Sequence, residues 1–510
     1  MKTEAQRTPI QSFYARQTIL ITGSTGFLGK MLTEKLLRSC PDISMIYLII
    51  RSQKDKCPEN RLDEMLENPL YDHVKKEVPN FRKKIVPIRG DFNIKDLGLS
   101  ESDKNMLISK VSIIFHIAAN MKFYEKIKIA TIENIDATAT ILKLAKHMPN
   151  LKVIDSTIYS NCHIKHIEER LYSYPINHKY LIMFARNLPE NIFEEKISKI
   201  VSQWPNTYTF TKAIAESLFK NESGDLPIGI FRPAIIISSA SEPLVGWIDN
   251  IYGPSGFVMS LLLGVARFIH CNGNHKANIV PVDFTANALI ASAWDVHNQH
   301  GKIFIVYLNA NLRSRRVKDM LIYNFVPPID GPTWKEYIYV LLDINKMYPL
   351  RNAIYLPLMT FFKHEISYRF CVWFGHFLPA LLLDAASICI GRSPRMWKLY
   401  MKVDKFSKAI EPFSNTEWNY STDNIQSMWD NLNEKDQQLF KFNMMEFNWT
   451  EYLINYYQGI RFYQLNENDS MLKDSRMKYA RFYWIHQTIK TIFFFIIFWI
   501  IWFMFRGMFE

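Results

Sequence analysis

The sequence predicts an α/β protein built around a doubly wound parallel sheet, followed by an α-helical C-terminal domain and a C-terminal membrane helix. Three observations lead to this prediction. Short apolar runs alternate with helical stretches from Gln17 to about Arg232. Long apolar and aromatic helical stretches follow about Trp334. An uncharged run of 15 residues, 491–505, lies near the end of the chain.

Six short apolar runs are the predicted strands of the sheet. They are Thr18–Thr22, Met45–Ile50, 84–88, 111–117, 151–155 and 227–231. Continuous apolar runs separated by helical stretches are typical of parallel strands that are covered on both faces. From Ser238 to about Val326 the sequence has more loops between short strands and helices, and we expect these elements to shape a substrate pocket over the carboxyl edge of the sheet.

The composition fits a folded protein and excludes several classes. The 510 residues contain 18 Gly and 23 Pro, too few for a collagenous or linker-dominated chain. The six cysteines lie far apart, so we expect neither disulfides nor a metal site, and we predict a reducing compartment. The net charge of +12 comes without a basic cluster interleaved with aromatics, so we expect no nucleic-acid partner. A membrane surface or a phosphate-bearing substrate fits the charge better.

The run 491–505 predicts a membrane anchor. A helix of this length covers roughly 22 Å, so it crosses a hydrocarbon core of about 30 Å only if residues 485–488 join it and Lys490 snorkels. A buried core helix is the alternative, but apolar side chains at every angle leave few ways to cover it. Positive residues are more frequent before the run than after it, which predicts that the preceding chain faces the cytoplasm. The N-terminal residues show no secretory signal.

A second apolar zone, 353–362 and 370–383, flanks the charged residues 363–365. Each piece is short for a membrane span, and we expect burial inside a helical domain. Insertion into the membrane interface is the alternative. The predicted organisation is thus a sheet domain with its substrate-binding elements at 12–335, a helical domain at 336–475 and an anchor at 485–507.

A glycine-rich turn after the first strand predicts a dinucleotide-binding site in a Rossmann sheet. Its first two glycines permit a tight turn and a close approach to a pyrophosphate, and the third lets the following helix pack against the strand. The N-terminus of that helix then faces the phosphates. The predicted cofactor-binding residues of the turn are Gly23, Ser24, Thr25, Gly26, Phe27, Leu28 and Gly29.

Residues that follow later strands predict which dinucleotide binds. Arg51 stands about 20 residues after the last glycine, where an acidic residue binds the ribose of NAD, and it complements a 2′-phosphate instead. NADPH is therefore the predicted cofactor, and a solvated basic turn is the alternative. Asp91 after the third strand is placed to meet the adenine, and Ala118 after the fourth leaves room for the nicotinamide half.

Tyr208 and Lys212 are the predicted catalytic pair. They are four apart in a helical pattern and thus share a face that can reach the cofactor ribose. An ammonium beside a phenol favours its ionised form, which lets a tyrosine transfer a proton near neutral pH. A hydroxyl after the fifth strand can stabilise the developing oxyanion. Thr157 is the first choice and Ser156 the runner-up, because slippage by one residue at a strand end exchanges their faces.

With these residues in place, the sequence resembles the alcohol-forming fatty acyl-CoA reductases, extended short-chain dehydrogenase relatives with a helical C-terminal domain. The matching segments include FYARQTILITGSTGFLGK, WPNTYTFTKAIAE, EPLVGWIDNIYGPSG and FNWTEYLINYYQGIRFY. The resemblance covers roughly Ser12 to Tyr463. The sequence departs from the family pattern at Asn120, Met121, Tyr124 and Ala137, and at Asp155 before the two predicted hydroxyls. These departures concern chain-length preference and pocket shape, not the glycine turn or the catalytic pair.

The resemblance implies reduction of a long-chain acyl-CoA to a primary alcohol through a bound aldehyde, with two NADPH-dependent steps and release of CoA. Tyr208 is then the proton donor, Thr157 the second oxyanion donor, and Lys212 the residue that tunes Tyr208 and holds the nicotinamide ribose. The implied partners are acyl-CoA and the lipid bilayer, the latter through the C-terminal segment. The endoplasmic reticulum is preferred over the peroxisomal membrane.

Two rival functions share parts of this pattern. One is a membrane-bound reductase of a sterol or ketone lipid, and the other is a catalytically silent lipid-binding protein. The acyl chain length, its unsaturation and the oligomeric state are not specified by the sequence.

Overall fold

The computed structural model describes residues 7–53, 56–149, 158–174, 176–309 and 320–509. The chain forms two compact units, each assembled from separate stretches. The first unit comprises residues 1–247, 278–330 and 418–447, and the second comprises 248–277, 331–417 and 448–510. The chain therefore passes between the two units several times.

The described strands are short. They are β1 (Thr18–Thr22), β2 (Met45–Ile50), β3 (Ile85–Arg89), β4 (Ile113–His116), β5 (His166–Ile167), β6 (Gly229–Pro233), β7 (Ile235–Ile237), β8 (Phe268–His270), β9 (Ile279–Pro281), β10 (Leu321–Phe325), β11 (Thr360–Phe362) and β12 (Asn419–Tyr420).

The described helices vary from one turn to ten. They are α1 (Pro9–Tyr14), α2 (Phe27–Ser39), α3 (Pro58–Leu66), α4 (Asp72–Glu77), α5 (Glu101–Lys110), α6 (Ile127–Ala130), α7 (Ala137–Ala145), α8 (His178–Asn187), α9 (Glu190–Val201), α10 (Thr207–Glu222), α11 (Pro254–Leu262), α12 (Val282–Asn309), α13 (Trp334–Met347), α14 (Glu365–Val372), α15 (Leu378–Cys389), α16 (Met396–Ser414), α17 (Asp423–Asp430), α18 (Glu434–Leu439), α19 (Trp449–Gly459) and α20 (Leu472–Phe509).

The first unit contains the predicted parallel sheet, which confirms the fold class. Its strands lie in the order β3-β2-β1-β4, and every pair in it is parallel. The chain builds outward from β1 to β3 and then crosses to β4 on the other side of β1. In doubly wound folds, such a reversal opens a crevice at the carboxyl ends of the two central strands, where ligands bind. β1 and β2 match the sequence prediction, and the predicted strand 151–155 lies outside the described residues.

Apolar burial explains why these strands form the centre of the unit. All four residues of β4 are buried, and in β1 and β2 only the first residue is partly exposed. α2 follows β1 and buries Met31, Leu32 and Leu36, and it packs against α12. Farther along the chain, β6 pairs in parallel with β10, and β7 pairs in parallel with β9.

The second unit is mostly helical, and one part of it differs from the sequence prediction. α14, a π-helical turn (Trp373–Phe377) and α15 form one continuous helix over 365–389. We expected the apolar zone 370–383 to be buried, but only 22% of the apolar stretch of this helix is buried. The expectation was wrong because α16 covers one side of the helix and leaves the other side to solvent.

α20 runs through the predicted anchor without interruption. Its apolar stretch is long enough to cross a membrane, and none of that stretch is buried. The alternative of a buried core helix is therefore excluded for the described part of α20. Together with the helix 365–389, α20 indicates that the protein associates with membranes.

Candidate active site

The glycine turn lies where β1 meets β4, at the crevice of the sheet. Gly23 has φ of +75°, a left-handed conformation that favours glycine, and a Cβ there would lie 2.8 Å from the Cα of Ala118. A Cβ on Gly29 would overlap the carbonyl oxygen of Gly23. Both glycines are thus required by close packing, and Ala118 forms the opposite wall of the same turn.

The turn leads directly into the N-terminus of α2, whose cap residue Gly26 donates its backbone N–H to Gly23 O at 3.0 Å. The amides that begin a helix have no partner within it, so this end suits an anionic group. Phe27 stacks on Trp247 with ring centroids 5.1 Å apart. The Ser24 hydroxyl is fully enclosed, and no hydrogen-bond partner for it lies among the described residues.

Two arginines stand beside the turn. The side chain of Arg51 is 49% exposed, and its backbone carbonyl accepts a hydrogen bond of 2.5 Å from Arg61. Arg61 also lies 3.5 Å from the hydroxyl of Thr25. Burial and then the Arg51 cation lower the pKa of Arg61. The two guanidiniums and the neighbouring hydroxyl could hold a phosphate.

A cavity of 630 Å³ adjoins these groups, and its lining includes Thr25, Lys30, Lys56 and Arg61. The residues present therefore fit a phosphorylated dinucleotide. Asp91 is half-buried after β3, and one of its carboxylate oxygens accepts the backbone N–H of Asn93 at 2.9 Å.

α10 carries the predicted catalytic pair. Asn206 caps the helix by accepting the backbone N–H of Thr209 at 2.9 Å, which fixes where the helix begins. The Tyr208 ring lies 6.2 Å from the ring of Phe123, in the loop that follows β4. Ala118, beside Gly23, belongs to the same loop, so Tyr208 contacts a loop that also borders the glycine turn.

Lys212 is buried and lies near the end of β4. Burial, followed by the Lys212 cation, lowers the pKa of His116 to about 3, so the imidazole stays neutral near physiological pH. The two nitrogens of His116 lie 2.8 Å from the hydroxyl of Thr22 and 2.9 Å from that of Thr138. The neutral ring thus ties β1, β4 and α7 together beside the ammonium.

Asn134 braces α10 from the other side. Its side-chain amide donates to the hydroxyl of Thr211 at 2.9 Å, and its carbonyl oxygen accepts the backbone N–H of Asn120 at 2.8 Å. Asn134 lies in a π-helical turn (Thr131–Asp136), where the local widening of the helix re-aims its side chain. One residue therefore joins the loop after β4 to the helix of the catalytic pair.

The predicted hydroxyls of Ser156 and Thr157 lie outside the described residues. The described chain resumes at Ile158 in a short turn (Ile158–Asn161) that packs on α10. Glu216 accepts hydrogen bonds from Ser160 Oγ at 2.6 Å and Asn161 Nδ2 at 3.1 Å.

The same carboxylate pairs with Arg232, which comes from β6. The guanidinium of Arg232 lies 2.7 Å from Glu216, and neither side chain is more than 2% exposed. Arg232 also donates to the carbonyls of Glu168 and Arg170, both at 3.1 Å. Glu216 and Arg232 thus form a clamp on the turn 158–161.

Several of these residues were missed in the sequence. Glu216 follows Lys212 by four residues and therefore shares a helix face with Tyr208 and Lys212. This spacing could have identified Glu216 from the sequence. Arg232, Arg61 and His116 gave no such signal, because their partners are distant along the chain. No cluster of three or more potential metal ligands occurs within the described part of the chain.

Comparisons with known proteins cover nearly the whole chain. Two family models described as male sterility protein match it, an NAD-binding model at residues 21–289 and a second model at 375–467. The chain is 35% identical to "Fatty acyl-CoA reductase wat" of Drosophila melanogaster, over 95% of this chain and 91% of that protein. It is also 35% identical to "Fatty acyl-CoA reductase 1" of Homo sapiens, over 92% and 88% of the two chains.

Solved structures with a similar fold include the terminal R domain from the myxalamid PKS-NRPS biosynthetic pathway. That structure aligns with a TM-score of 0.57 and 16% identity, over 88% of this chain and 92% of that one. A thiolation-reductase di-domain from an archaeal non-ribosomal peptide synthetase aligns with a TM-score of 0.52 and 16% identity, over 90% and 79%. At this identity the two structures support the fold alone.

Proposed function

The chain belongs to the fatty acyl-CoA reductase family, and on that premise we propose that it reduces long-chain acyl-CoA to a primary alcohol. The single structural observation that supports this function is the position of Tyr208 against the loop that also borders the glycine turn. A proton donor and a dinucleotide can meet there at one carbonyl carbon.

The proposed mechanism uses the same residues in both reduction steps. Bound NADPH supplies the hydride. Tyr208 donates a hydrogen bond to the thioester carbonyl oxygen and gives it a proton as negative charge develops. Thr157, or Ser156 in its place, supplies the second hydrogen bond to that oxygen. Lys212 holds the nicotinamide ribose and favours the phenolate that Tyr208 becomes.

The phenolate of Tyr208 then takes back the hydroxyl proton of the hemithioacetal as the CoA thiolate leaves. This step leaves an aldehyde on the same two donors and a protonated Tyr208. The second reduction repeats the proton transfer from Tyr208 and yields the alcohol. Because one site serves both steps, the aldehyde need not leave the protein. The clamp formed by Glu216 and Arg232 holds the turn that directly follows the hydroxyl residues, and this supports a fixed oxyanion site.

The proposed cofactor preference rests on the arginine pair. Arg51 and Arg61 present two guanidiniums beside the Thr25 hydroxyl, and this set of donors suits a 2′-phosphate. Glu133 lies 3.8 Å from Arg51 and can orient it. An NAD-specific site carries a carboxylate at the position of Arg51 instead. NADPH is therefore the proposed reductant.

The proposed location is the endoplasmic reticulum membrane, with the catalytic unit in the cytosol. Basic residues precede the apolar part of α20 at Arg476, Lys478 and Arg481, which favours a cytosolic position for that side. Long-chain acyl groups and alcohols partition into bilayers, so an anchored enzyme meets its substrate and product there.

Stoichiometry tests the reaction. The purified full-length protein, given NADPH and palmitoyl-CoA, is expected to consume about two NADPH for each CoA thiol released. A reductase of sterol or ketone lipids would release no thiol, and a silent lipid-binding protein would consume no NADPH. Either result would overturn the proposed function.

A further inference from the structure

The continuous helix 365–389 leaves a broad apolar face uncovered. Phe370 is 63% exposed, Leu382 62% and Ile388 61%. Trp373 and Phe374 in the π-helical turn are about half exposed as well. Such a large exposed apolar surface indicates an interaction site.

Cations surround one end of this face. Arg392, Arg395, Lys398 and Lys402 are all exposed, and the sequence has no Asp or Glu from 385 to 403. Trp397 lies among these cations and is 36% exposed. Apolar and aromatic side chains beside a row of cations are complementary to an anionic lipid surface, where the headgroups carry the opposite charge.

This region folds as a hairpin, although its first helix is long and apolar enough to cross a membrane. The Asp384 carboxylate accepts the backbone N–H groups of Arg395, Met396 and Trp397 at 2.8–2.9 Å, and this turns the chain back into α16. Tyr368, near the start of the helix 365–389, donates to Ser407 of α16 at 3.0 Å. Because α16 is bonded to the helix 365–389 in this way, a membrane-spanning position of that helix would place the charged residues of α16 in the hydrocarbon core, at a high free-energy cost.

The hairpin is tied to the beginning of the membrane part of α20. Tyr355 lies 3.0 Å from His486 of α20 and packs beneath the guanidinium of Arg267 at 5.3 Å. Arg267 in turn donates to the carbonyl of Gly375 and, through its backbone N–H, to His376 at 3.3 Å. Two side chains, Tyr355 and Arg267, thus join α20 to the π-helical turn.

We propose that the hairpin 365–414 lies in the interface of an anionic bilayer as a second membrane attachment beside α20. Its apolar face enters to the depth of the headgroup and acyl boundary, about 5–10 Å, and the cations of α16 bind the headgroups. The proposal concerns a surface that the proposed reaction does not use.

Spin labels on the full-length protein in vesicles test this proposal. A nitroxide is placed at Leu382→Cys, after the accessible Cys57, Cys371 and Cys389 have been changed to Ser. Met347→Cys, in α13 of the same unit and 54% exposed, is the matched control. Collision rates with oxygen and with a water-soluble nickel chelate are compared in phosphatidylcholine vesicles with and without about 30% phosphatidylserine.

The ratio of oxygen to nickel collisions is expected to be several-fold higher at position 382 than at 347, at a depth within the interface. Equal nickel access at both positions would overturn the proposal, and so would a depth at the bilayer centre. If the label at position 382 collides rarely with both oxygen and the nickel chelate, and detergent does not change these rates, a second copy of the protein covers the face. This result also contradicts the proposal.

A separate variant tests the proposed binding of the four cations to anionic headgroups. Combined reversal of the four cations (Arg392→Glu, Arg395→Glu, Lys398→Glu, Lys402→Glu) should abolish the added depth that phosphatidylserine gives at position 382. A circular dichroism melt shows whether the variant is folded. A folded variant that responds to phosphatidylserine as the parent does would overturn the role of these cations.

Discussion

The glycine turn and the catalytic face of α10 lie at the same edge of the sheet but are built differently. The turn consists of consecutive residues, and backbone conformation at Gly23 and close packing at Gly29 define it. The face of α10 depends on side chains that arrive from β4, from β6 and from the turn 158–161. A local sequence motif can therefore reveal the first completely, whereas the second needs the fold.

The largest effect is expected at the proton donor. Tyr208→Phe removes only the hydroxyl, so alcohol formation should fall about 1,000-fold or more while NADPH binding persists. Alcohol is measured by gas chromatography and binding by NADPH fluorescence. Tyr180→Phe, at a 61% exposed position on α8, is the control and should keep full activity. Activity retained in Tyr208→Phe would assign the proton donor elsewhere.

The clamp on the turn 158–161 comes next. Glu216→Gln leaves the buried Arg232 without its counter-ion, which should lower the free energy of unfolding by about 3 kcal/mol. We also expect a lower kcat, because the turn loses one of its anchors. Thermal melting and steady-state kinetics measure the two effects.

Glu222→Gln is the matched control for the clamp, because Glu222 ends the same helix and is more exposed than Glu216, with ion pairs to Lys146 and Lys179 at the surface and a contact of 3.6 Å to His178. A change within about 0.5 kcal/mol is expected there. Equal melting of the two variants would mean that the Glu216–Arg232 pair does not hold this region together.

Cofactor selectivity tests the arginines beside the glycine turn. Arg61→Ala should raise the KM for NADPH about tenfold and leave that for NADH unchanged, since only NADPH carries the 2′-phosphate. Arg51→Asp should act in the same direction and more strongly, because it adds repulsion. Arg82→Ala, which removes an exposed ion pair with Asp63, is the control. Equal losses with both cofactors would remove the two arginines from phosphate recognition.

The last prediction concerns the dependence of stability on pH. The pKa of His116 is lowered from 6.5 to about 3 in the folded protein, so the unfolded chain binds a proton that the folded chain excludes. This stability is present above pH 6.5 and is lost as the pH falls below it, by up to about 2 kcal/mol at pH 5.

Between pH 7 and pH 5, the melting temperature of the His116→Gln variant should therefore fall less than that of the parent protein. His73→Gln, at an exposed histidine, should behave as the parent does. If His116→Gln and the parent show the same loss, the neutral imidazole does not contribute to the pH dependence.

The sequence predicted the parts of the molecule that depend on local patterns. The alternation of strands and helices predicted the parallel sheet, and the glycine spacing predicted the turn at its crevice. The brace by Asn134 and the clamp on Glu216 were not predicted, because each joins residues that are many positions apart. Their partners become visible only when the strands are ordered.

The apolar zone after residue 353 shows the opposite limit. The hydropathy of the sequence correctly located this apolar zone, but we expected it to be buried, and the structure leaves most of its helix exposed. Composition alone does not distinguish a buried apolar helix from an exposed one. Asp384 accepts three backbone hydrogen bonds and so turns the chain back, which places α16 along one side of the helix only. A side-chain cap of this kind fixes the path of the chain without changing its apolar pattern.

Isotope transfer tests most directly whether the protein performs both reductions with NADPH. Palmitoyl-CoA is incubated with the full-length protein and NADPH that carries deuterium at the transferred position of C4, and the product is identified by mass spectrometry. The mechanism predicts a primary alcohol doubly deuterated at C1, with free CoA thiol and little free aldehyde. A product with a single deuterium, or deuterated aldehyde that accumulates as the end product, would contradict the two-step reduction at Tyr208.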